Sequence, residues 1–480
     1  MTTIRFLSKN NLKSIHEATL EILETIGIQV KNETTKSILV DNGCTLDSDQ
    51  VKIPTSLVKE SIKKAPSYFD IYTRDGDKSH IIGSENVIFN PGSTAVYFKD
   101  RKTREIRKGT LKDCIELVQL VNSLDHINAQ STALVPSDVS EQLSCLYRLY
   151  IILKHSAKPI ITGAFRKDDV PNMKLLLEAV VGNTDELASH PRAIFDCCPT
   201  SPLTWDDVGS QHLMDCSATG IPVTIVPAPL MGATSPITIQ GTLIQSNAEV
   251  LGGVVISQLV NPGTPMIYGG APGSFDMKYA TPRFGSMEAI IAACASSEIG
   301  RYYRLPTQSY LGTSEAKIED SQSGFESGIG LVLGALTGIN LISGPGMLAQ
   351  LNCQSLEKLV IDNELCGSAY RFSRGVEFDD IDLIIELIVK MGFTGDYLRQ
   401  KHTSKKLRSE HYMPSEILCR LTTESWLKGG AKSTFDRAHE KVNSILQNHT
   451  PDYPAQIDVL EKTFEQIKKK YNNTAHQNMK

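Results

Sequence analysis

The sequence has no excess of positive charge and no long apolar run. Lysine and arginine number 49 against 54 aspartate and glutamate residues, which gives a net charge of −5. Non-specific binding to nucleic acid or to an anionic membrane needs clustered positive charge, so neither partner is expected. No stretch of about 18 apolar residues marks a membrane span, and residues 1–23 carry no apolar signal segment. We therefore expect a cytoplasmic globular protein.

The ten cysteines form no C-x-x-C pair. Without an export signal, their simplest interpretation is as reduced thiols, most of them packed in the core. Cys197 and Cys198 are adjacent and follow an apolar run, which would place them near the end of a strand. Even there, burial is the commoner role of a free cysteine.

Three kinds of catalytic motif are also missing from the sequence. The histidines stand apart from any cysteine pair, so the ligand pattern of zinc is absent and no metal is expected. The GGAPG stretch at 269–273 is too short for a phosphate-binding fingerprint. No G-x-S-x-G nucleophile elbow occurs.

What the sequence does have is an alternation of short apolar runs, Gly-rich polar loops and helix-like stretches. The order is clearest at 268–346 and is typical of βα units that feed a parallel sheet. About eight strands can be counted, the number that closes a TIM-type (β/α)8 barrel, whose active site lies in the loops after the strands. The predicted strands are 128–134, 159–163, 192–198, 222–226, 265–268, 307–312, 339–343 and, as the eighth, 374–378.

The barrel core is predicted over 126–380, between two additions. Residues 1–125 indicate N-terminal helices and a small antiparallel β cap at 68–98, and 381–480 indicate a C-terminal helical extension. Within the cap, NPGSTAVYF at 90–98 is predicted as a hairpin turn with core aromatics, with a loop facing the substrate as the alternative. The fold class is thus α/β, a TIM-type barrel with an N-terminal α/β cap and a helical extension.

Polar side chains concentrate in the loop GTSEAKIEDSQSGFE at 312–326. Hydroxyls and acids at loop starts are often helix caps, yet a long polar loop in a compact domain is usually functional. Aromatic residues also gather near the predicted strand ends. Rings around a pocket bind quaternary ammonium groups through cation–π attraction of ~0.5–2 kcal/mol each, but the sequence pattern by itself favours packing of the barrel mouth as their role.

Several stretches resemble the trimethylamine methyltransferase family, and the likeness extends over nearly the whole chain. They are KHSAKPIITGAF (154–165), CPTSPL (198–203), VPAPLMGATSPITIQGTL (226–243), SEAKIEDSQSGFE (314–326) and HTSKKLRSEHYMPSEI (402–417). The resemblance implies a TIM barrel that moves a methyl group from an amine to the cobalt of a corrinoid (cobalamin) bound to a separate protein. It also implies that this enzyme needs no zinc.

The archaeal trimethylamine enzymes of that family carry pyrrolysine in the loop that matches DSQSGFE. The matching position here is Gly324, or its neighbour Ser323, so pyrrolysine is absent. The chain therefore resembles the non-pyrrolysine branch, whose substrates are quaternary amines such as glycine betaine, proline betaine and carnitine. The expected reaction transfers a methyl group from such an amine to Co(I) and leaves the tertiary amine.

Site roles follow from this resemblance. Gln322, Gly324 and Glu326 are the expected catalytic positions, while Glu319 or Asp320 would face the ammonium or stabilise the loop. The expected substrate-binding residues are Tyr97, Phe275, Tyr310 and Phe325 as an aromatic cage, with Arg283, Lys317, Arg301 or the His402–Thr403 pair as donors to a carboxylate. The corrinoid would approach Ser274, Gly344 and Gly346, although tight turns also demand glycine.

Two other functions stay open at this point. One is a betaine-binding protein that kept the barrel and lost turnover, since fold alone does not exclude it. The other is a barrel lyase with a Schiff-base lysine, for which Lys158 and Lys317 are the candidates. The helical additions also leave a homo-oligomer open, and the sequence names neither the amine nor the corrinoid protein.

Overall fold

The structure, a computed structural model, describes residues 3–478, and the side chains of all of these except 394 and 472–478. The first part of the chain alternates short helices with short strands. Its elements are α1 (Lys9–Thr25), β1 (Ile28–Val30), α2 (Glu33–Asp41), β2 (Thr45–Asp47), β3 (Gln50–Lys52), α3 (Thr55–Lys64), β4 (Tyr68–Tyr72), β5 (Lys78–Gly83), β6 (Ile88–Asn90), β7 (Tyr97–Lys99), β8 (Ile106–Lys108) and α4 (Leu111–Asn122).

The middle of the chain repeats the βα unit. Its elements are β9 (Gln130–Ser131), α5 (Glu141–His155), β10 (Ile160–Gly163), α6 (Asp169–Val181), α7 (Thr184–Ser189), β11 (Ala193–Cys197), β12 (Thr204–Trp205), α8 (Asp207–Thr219), β13 (Val223–Ile225), β14 (Leu230–Met231), α9 (Ile239–Val260), β15 (Met266–Tyr268), β16 (Gly273–Asp276), β17 (Thr281–Arg283), α10 (Met287–Tyr302), β18 (Gln308–Tyr310), α11 (Ser321–Leu336), β19 (Leu341–Ser343), β20 (Met347–Leu348), β21 (Cys353–Gln354) and α12 (Leu356–Arg374).

The last part is helical. It contains α13 (Ile381–Met391), two short 3-10 turns (Gly392–Thr394 and Tyr397–Arg399), α14 (Lys401–Glu410), α15 (Thr423–Lys428), α16 (Thr434–Gln447) and α17 (Ile457–Asn478). The helix α16 packs on α4 and α12, and α17 packs on α5 and α6. Phe464 of α17 stacks on Tyr150 of α5, with ring centroids 4.2 Å apart. These two helices therefore cover the outside of the βα units.

Eight parallel strands form the centre of the molecule. One sheet has the order β15-β13-β11-β10-β9 and a second has the order β18-β19-β6, with every pairing parallel. Hydrogen bonds also link the two sheets. Tyr268 of β15 bridges Thr307 beside β18, and the amide of Asn128, just before β9, donates to the carbonyl of Phe89 on β6 at 2.8 Å. The fold is thus α/β, as the sequence predicts.

Seven of the eight predicted strands contain a strand of this parallel set, and the eighth prediction is wrong. Residues 374–378 form no strand because α12 continues to Arg374 and ends at Gly375, whose φ of 69° breaks the helix. The eighth position is taken by β6, which the sequence analysis placed in the antiparallel cap. The segment 90–98 is accordingly not a hairpin, since β6 pairs with β19 while β7 pairs with β8 and β21.

The antiparallel pair β4–β5 closes the amino-terminal end of the strands. Its Phe69, Ile71 and Ile82 form one buried cluster with Ala129, which directly precedes β9, and with residues from five of the parallel strands, namely Ile88, Ile161, Ile194, Ile267 and Leu341. The amides of Tyr72 and Arg74 also bond to the carbonyls of Pro191 and Ala157, which precede β11 and β10. The interior is therefore apolar and filled at this end.

The helix α9 is apolar and long enough to cross a membrane by length and composition alone, but 78% of its most apolar window is buried inside the protein. It packs against α1, α3, α8 and α10, as a core helix of a folded domain does. All ten cysteines are free, and eight of them are buried. This agrees with the prediction that most cysteines pack in the core.

Candidate functional site

A layer of polar side chains lies directly above the apolar interior. Side chains two residues apart on a strand face the same side, so the residues two positions beyond the buried cluster also point inward. On β6, β9, β11 and β19 these residues are polar, and the neighbouring strands β13 and β18 add more. We call this set the polar layer: Asn90, Ser131, Asp196, Thr224, Gln308, Tyr310 and Ser343.

Hydrogen bonds cross the polar layer on one side. Gln308 Nε2 donates to Ser343 Oγ at 3.1 Å, and Ser343 Oγ donates to Asn90 Oδ1 at 2.9 Å. On the other side, Ser131 Oγ, Thr224 Oγ1 and Asp196 Oδ1 are shielded from solvent and have no hydrogen-bond partner in the protein. Because buried polar atoms are rarely left unpaired, this side of the layer is suited to a ligand.

Asp196 is the ionisable group of the polar layer. The hydroxyl of Tyr310 donates to Asp196 Oδ2 at 3.3 Å and is itself 2.7 Å from Ser93 Oγ. Burial raises the pKa of the Asp196 carboxyl to about 7, while the neighbouring hydroxyls of Thr224 and Tyr310 act in the opposite direction. Burial also keeps the pKa of Tyr310 well above its ordinary value. Asp196 is therefore the group whose charge changes near neutral pH.

The predicted catalytic residues lie on the first turns of α11, at the same end of the strands. Gln322 Nε2 donates to Glu326 Oε1 at 3.0 Å, and Glu326 Oε2 accepts from Ser314 Oγ at 2.5 Å and from the Glu315 amide at 2.9 Å. Gly324 is exposed, and a Cβ atom there would meet nothing within 4 Å. A larger side chain at this position would therefore extend into open space.

Glu315 and Glu326 are neighbouring carboxylates whose hydrogen bonds connect the loop after β18 with the start of α11 and with the segment before α10. Glu315 Oε1 accepts from the amides of Phe284 and Gly285 at 2.8 and 2.7 Å. Burial raises the pKa of Glu315, and the nearby Glu326 carboxylate raises it further. Because all of these contacts join the start of α11 to the segment before α10, the pair stabilises the rim of the site.

Glu319 and Asp320 are both held by contacts at the start of α11, although Asp320 is exposed. Glu319 Oε2 accepts from Lys99 Nζ at 2.7 Å, and both side chains are almost fully buried. Asp320 caps α11 by accepting from the amide of Ser323 at 3.1 Å. Of the two roles expected for these acids, loop stabilisation is the one that their contacts support.

The four predicted cage aromatics occupy different surroundings. Tyr310 is buried in the polar layer, whereas Phe325 on α11 is 60% exposed. Tyr97 packs beside Ala316 and Cys353, and Lys108 Nζ lies 4.4 Å from its ring centroid. Phe275 lies half-buried on β16. Among the described side chains, no ring contact joins any two of these four, so the cage stays a prediction.

The predicted carboxylate donors are also dispersed. Arg283 is 3.5 Å from Asp276, and Lys317 Nζ donates to the Glu315 carbonyl at 2.6 Å, both at the carboxyl end of the strands. Arg301 is at the opposite end, where its Nη1 donates to the Thr337 carbonyl at 2.6 Å. His402 lies near Asp379 on the C-terminal helices. The prediction for Arg301 is wrong because α10 runs back from the site and carries this residue to its far end.

The residues predicted to face the corrinoid are packed against protein. Ser274 Oγ is 2.8 Å from Ser286 Oγ. A Cβ at Gly344, whose φ is 130°, would come within 2.7 Å of the Gly312 amide nitrogen, and one at Gly346 within 2.6 Å of Gln354 Oε1. Glycine is required at both positions by this packing, and the approach of a corrinoid stays a prediction.

Two further sequence hypotheses can be compared with the structure. Lys158 lies before β10, at the amino-terminal end, where its Nζ donates to the carbonyls of Val121, Leu124 and Ile127 at 2.5–2.7 Å. Burial lowers the pKa of Lys158 to about 8, but these contacts leave it no access to the polar layer. Among the side chains that the structure describes (3–393 and 395–471), no three of His, Cys, Asp or Glu converge as a metal site. That the protein uses no zinc stays a prediction.

The polar layer was not among the sequence predictions. The predicted site residues lie mostly in the loops after the strands, whereas the layer lies at the last residues of the strands. The missed signal is visible in AIFDC at 193–197, where Asp196 stands two positions beyond the inward-facing Ile194. The same spacing connects Ile88 to Asn90. Counting in steps of two from the apolar residues would have found both.

The comparisons with known proteins agree with this arrangement. Residues 1–472 match the model of the trimethylamine methyltransferase (MTTB) family. The chain is 31% identical to the trimethylamine methyltransferase MttB of Desulfitobacterium hafniense, over 93% of this chain and 90% of that protein. It is 30% identical to a glycine betaine methyltransferase of the same species, over 93% of each chain.

A solved structure shows the same fold. The monomethylamine methyltransferase MtmB of Methanosarcina barkeri superposes with a TM-score of 0.55 at 13% identity, over 92% of this chain and 88% of that one. The family is established by the match over residues 1–472 and by the two relatives that are similar over 93% of this chain. The chain belongs to the trimethylamine methyltransferase family and is a methyltransferase.

Proposed function

We propose that the protein transfers a methyl group from a quaternary amine to the Co(I) of a corrinoid bound to a separate protein. The observation that carries the proposal is Gly324. The family resemblance puts pyrrolysine at this position in the archaeal trimethylamine enzymes, and here a glycine stands in open space at the start of α11. The glycine betaine methyltransferase, similar over 93% of the chain, supports the same class of substrate.

The chemistry requires little of the protein beyond positioning. A quaternary nitrogen has no lone pair to protonate, so the C–N bond breaks with its electron pair going to nitrogen, and the amine leaves neutral. The corrinoid is the methyl-accepting substrate, and its Co(I) supplies the nucleophile. The protein holds the N–CH₃ bond in line and excludes water. The buried polar layer above a filled apolar interior is suited to both tasks.

Residue roles follow in the same proposal. Gln322 and Glu326 shape the wall beside Gly324, which leaves room for the amine or the corrinoid. The substrate-binding set is Tyr97, Phe275, Tyr310 and Phe325 for the ammonium, with Arg283 and Lys317 for a substrate carboxylate, and the corrinoid-facing set is Ser274, Gly344 and Gly346. Open space at Gly324 and the exposed ring of Phe325 fit the approach of a large planar group to this face.

The architecture belongs to the proposal as well. The two hydrogen-bonded links between the sheets support a closed (β/α)8 barrel with an N-terminal cap and a C-terminal helical extension. We keep the division into 1–125, 126–380 and 381–480, with β6 of the first part inserted between strands of the second. We also propose a cytoplasmic location, with the amine and the corrinoid protein as partners and with self-association into a homo-oligomer.

The test is an anaerobic optical assay of the purified protein with cob(I)alamin. Glycine betaine, proline betaine, carnitine, choline and trimethylamine are offered one at a time. Loss of the cob(I)alamin band with formation of methylcobalamin for a quaternary amine is the expected result. Turnover of trimethylamine alone would contradict a quaternary amine as the substrate. Turnover of no amine, under conditions in which the glycine betaine enzyme is active, would contradict the proposal and favour a binding protein.

A further inference from the structure

Asp196 is a half-buried carboxylate, and no cationic group among the described side chains pairs with it. Two other buried acids of this chain have a cationic partner: Glu319 pairs with Lys99 at 2.7 Å, and Asp362 pairs with Lys358 at 2.5 Å. The buried Glu249 has only neutral partners, but both of its oxygens accept hydrogen bonds, from Ser201, Gln245 and the amide of Leu203. Among the described side chains, the hydrogen bond to Asp196 comes from the neutral hydroxyl of Tyr310, and the neutral hydroxyl of Thr224 lies beside the carboxyl. The Oδ1 atom of Asp196 is shielded from solvent and has no donor.

The side chains around Asp196 stay uncharged near neutral pH. Tyr310 faces it from β18 and Thr224 from β13, while Cys197 is next to it on β11 and Cys198 follows that strand. Burial raises the pKa of Tyr310 well above its ordinary value, and a hydrogen bond with Cys216 together with burial does the same for the pKa of Cys197. Asp206 contributes a negative charge near Cys198. Nothing in this set neutralises a carboxylate, so its counter-charge is a proton or a bound cation.

A cation in the polar layer would compensate the charge of Asp196. A quaternary ammonium donates no hydrogen bond, so its attraction to the carboxyl, and to other oxygens of the layer that lack a partner such as Thr224 Oγ1, would be electrostatic. The buried ring of Tyr310, held by Asp196 and Ser93, offers an aromatic wall to the same cation. The apolar floor formed by Ile161, Ile194 and their neighbours suits methyl groups.

We propose that Asp196 is the counter-charge of the substrate ammonium and selects a permanent cation for the barrel mouth. The inference rests on the proposed function, since that function supplies a cationic substrate. In the free protein a proton occupies Asp196 for part of the time, and the ligand displaces this proton into solvent. Asp196 is thus a specificity-determining residue that contacts the methylated head group directly.

The exchange makes binding depend on pH, although a quaternary ammonium cannot titrate. Burial places the pKa of the Asp196 carboxyl at about 7. The affinity should therefore rise about tenfold from pH 6 to pH 8 and then level off, because only the ionised form binds the cation. A neutral molecule of similar size should bind with no such dependence.

The experiment is calorimetric titration of the full chain with tetramethylammonium, the head group that all candidate substrates share, and with neutral tert-butanol. At pH 8 we expect Asp196→Asn to bind tetramethylammonium about tenfold or more weakly, and tert-butanol no worse than the wild type does. The gap between the two proteins should narrow at pH 6, where the wild type is itself largely neutral. Circular dichroism and thermal melting confirm that the variant is folded.

Asp206→Asn is the matched control. It removes one negative charge from the same end of the strands, and asparagine keeps the cap of α8, where Asp206 Oδ1 accepts from the Gly209 amide at 2.6 Å. It should bind tetramethylammonium as the wild type does. Tyr310→Phe is a second variant, which removes a donor to the carboxylate and should move the midpoint of the pH dependence upward.

The outcomes separate this inference from the proposed function. Equal affinity of wild type and Asp196→Asn for tetramethylammonium at pH 8, or no binding by the wild type, overturns the role of Asp196. If the wild type nevertheless converts a quaternary amine with cob(I)alamin, the proposed function stands alone. If binding depends on Asp196 and on pH while no amine reacts, the inference holds and the methyl-transfer proposal is wrong.

Discussion

The barrel mouth, which is the end of the barrel that holds the polar layer, and residues 376–400, which we call the C-terminal arm, are unusual in opposite ways. The mouth buries polar atoms that have no partner, on Ser131, Asp196 and Thr224. The arm exposes apolar side chains, and its helix α13, IDLIIELIVKM, has no buried residue. Phe378 and Val389 of the arm are 86% and 75% exposed.

Each departure has a cost in the isolated chain. A buried polar atom without a partner costs about 1–3 kcal/mol, and each large apolar side chain left in water forgoes about 1.5–3 kcal/mol of burial. A small ligand in the mouth would remove the first cost, and exposed apolar patches are typical of protein interaction sites. The mouth, however, is surrounded by paired strands and by buried ion pairs such as Lys99–Glu319. The helix α13 of the arm has no buried residue.

The largest expected effect is at a buried ion pair that supports the mouth. Lys358 Nζ bonds to Asp362 Oδ2 at 2.5 Å, to Ser327 Oγ at 2.7 Å and to the Gly312 carbonyl at 3.1 Å, and so joins α12 to α11 and to the loop after β18. Asp362→Ala leaves the lysine charge buried and unpaired, so we expect a loss of about 3–5 kcal/mol in the free energy of unfolding. Urea denaturation measures it.

The control for this prediction is Glu424→Ala, which breaks the exposed Lys428–Glu424 pair of α15. An exposed pair at this helical spacing contributes about 0.5 kcal/mol or less. If the two variants lost similar stability, the rim of the mouth would be no more rigidly supported than the C-terminal helices, and the comparison between the two regions would fail.

Two glycines near the site should respond differently to alanine. At Gly344, with a φ of 130°, a Cβ would come within 2.7 Å of the Gly312 amide nitrogen, so Gly344→Ala should cost about 1–3 kcal/mol. At Gly324, inside α11, a Cβ would meet nothing within 4 Å, and alanine should stabilise the helix by up to about 1 kcal/mol. Thermal melting of both variants checks this. A Gly324→Ala protein as unstable as Gly344→Ala would show that the space at Gly324 is not open.

The fold could be predicted from the sequence wherever the pattern is local. The strands at 160–163 and 193–197 are apolar runs that begin beside Pro159 and Pro191 and are followed by helical stretches, and this rhythm is sufficient to identify them. The strand β6 has only three residues, and its partner β19 lies about 250 residues further along the chain. No local pattern distinguishes that pairing from a hairpin with the preceding strand, which is why the cap prediction was wrong there.

For the site, the sequence could predict at which end of the barrel it lies but not which residues form it. The loop at 312–326 does lie at the carboxyl end of the strands, as the βα order implies. The prominent acids in it, however, turned out to be engaged in the rim, as Glu319 is with Lys99. Asp196 attracted no attention because a single acid at the end of an apolar run is common, and the absence of a cation beside it is a property of the folded molecule.

A smaller effect with an unusual sign is expected at Asp196. Its folded-state pKa is raised from an ordinary 3.8 to about 7, so the folded state is destabilised as the carboxyl ionises, and stability falls as the pH rises between these values. Asp196→Asn removes this penalty. Allowing for partial exposure to solvent, the variant should gain about 1–2 kcal/mol at pH 8 and nothing at pH 4. Thermal melting at both pH values checks it. A variant less stable than the wild type at pH 8 would contradict the inference that the ionised Asp196 carboxylate destabilises the folded state.

The smallest effect on stability is expected in the arm. Ile388 of α13 is 53% exposed, whereas Ile194 lies fully buried in the interior cluster below Asp196. Ile194→Ala should cost about 2–5 kcal/mol through lost burial and a residual cavity. Ile388→Ala should change the free energy of unfolding by less than about 0.5 kcal/mol, since little apolar area is lost from the interior.

Hydrogen exchange sharpens the same comparison without any substitution. Amides of α13 should exchange by local opening at low free energy because none of the residues of this helix is buried, whereas amides of β11 should exchange only with global unfolding. Protection of α13 equal to that of β11, or a loss above 1 kcal/mol in Ile388→Ala, would mean that another surface covers the arm in solution. The exposed apolar side chains of the arm would then belong to a protein interface. The two regions would differ in what binds them, a small cation at the mouth and another protein surface at the arm.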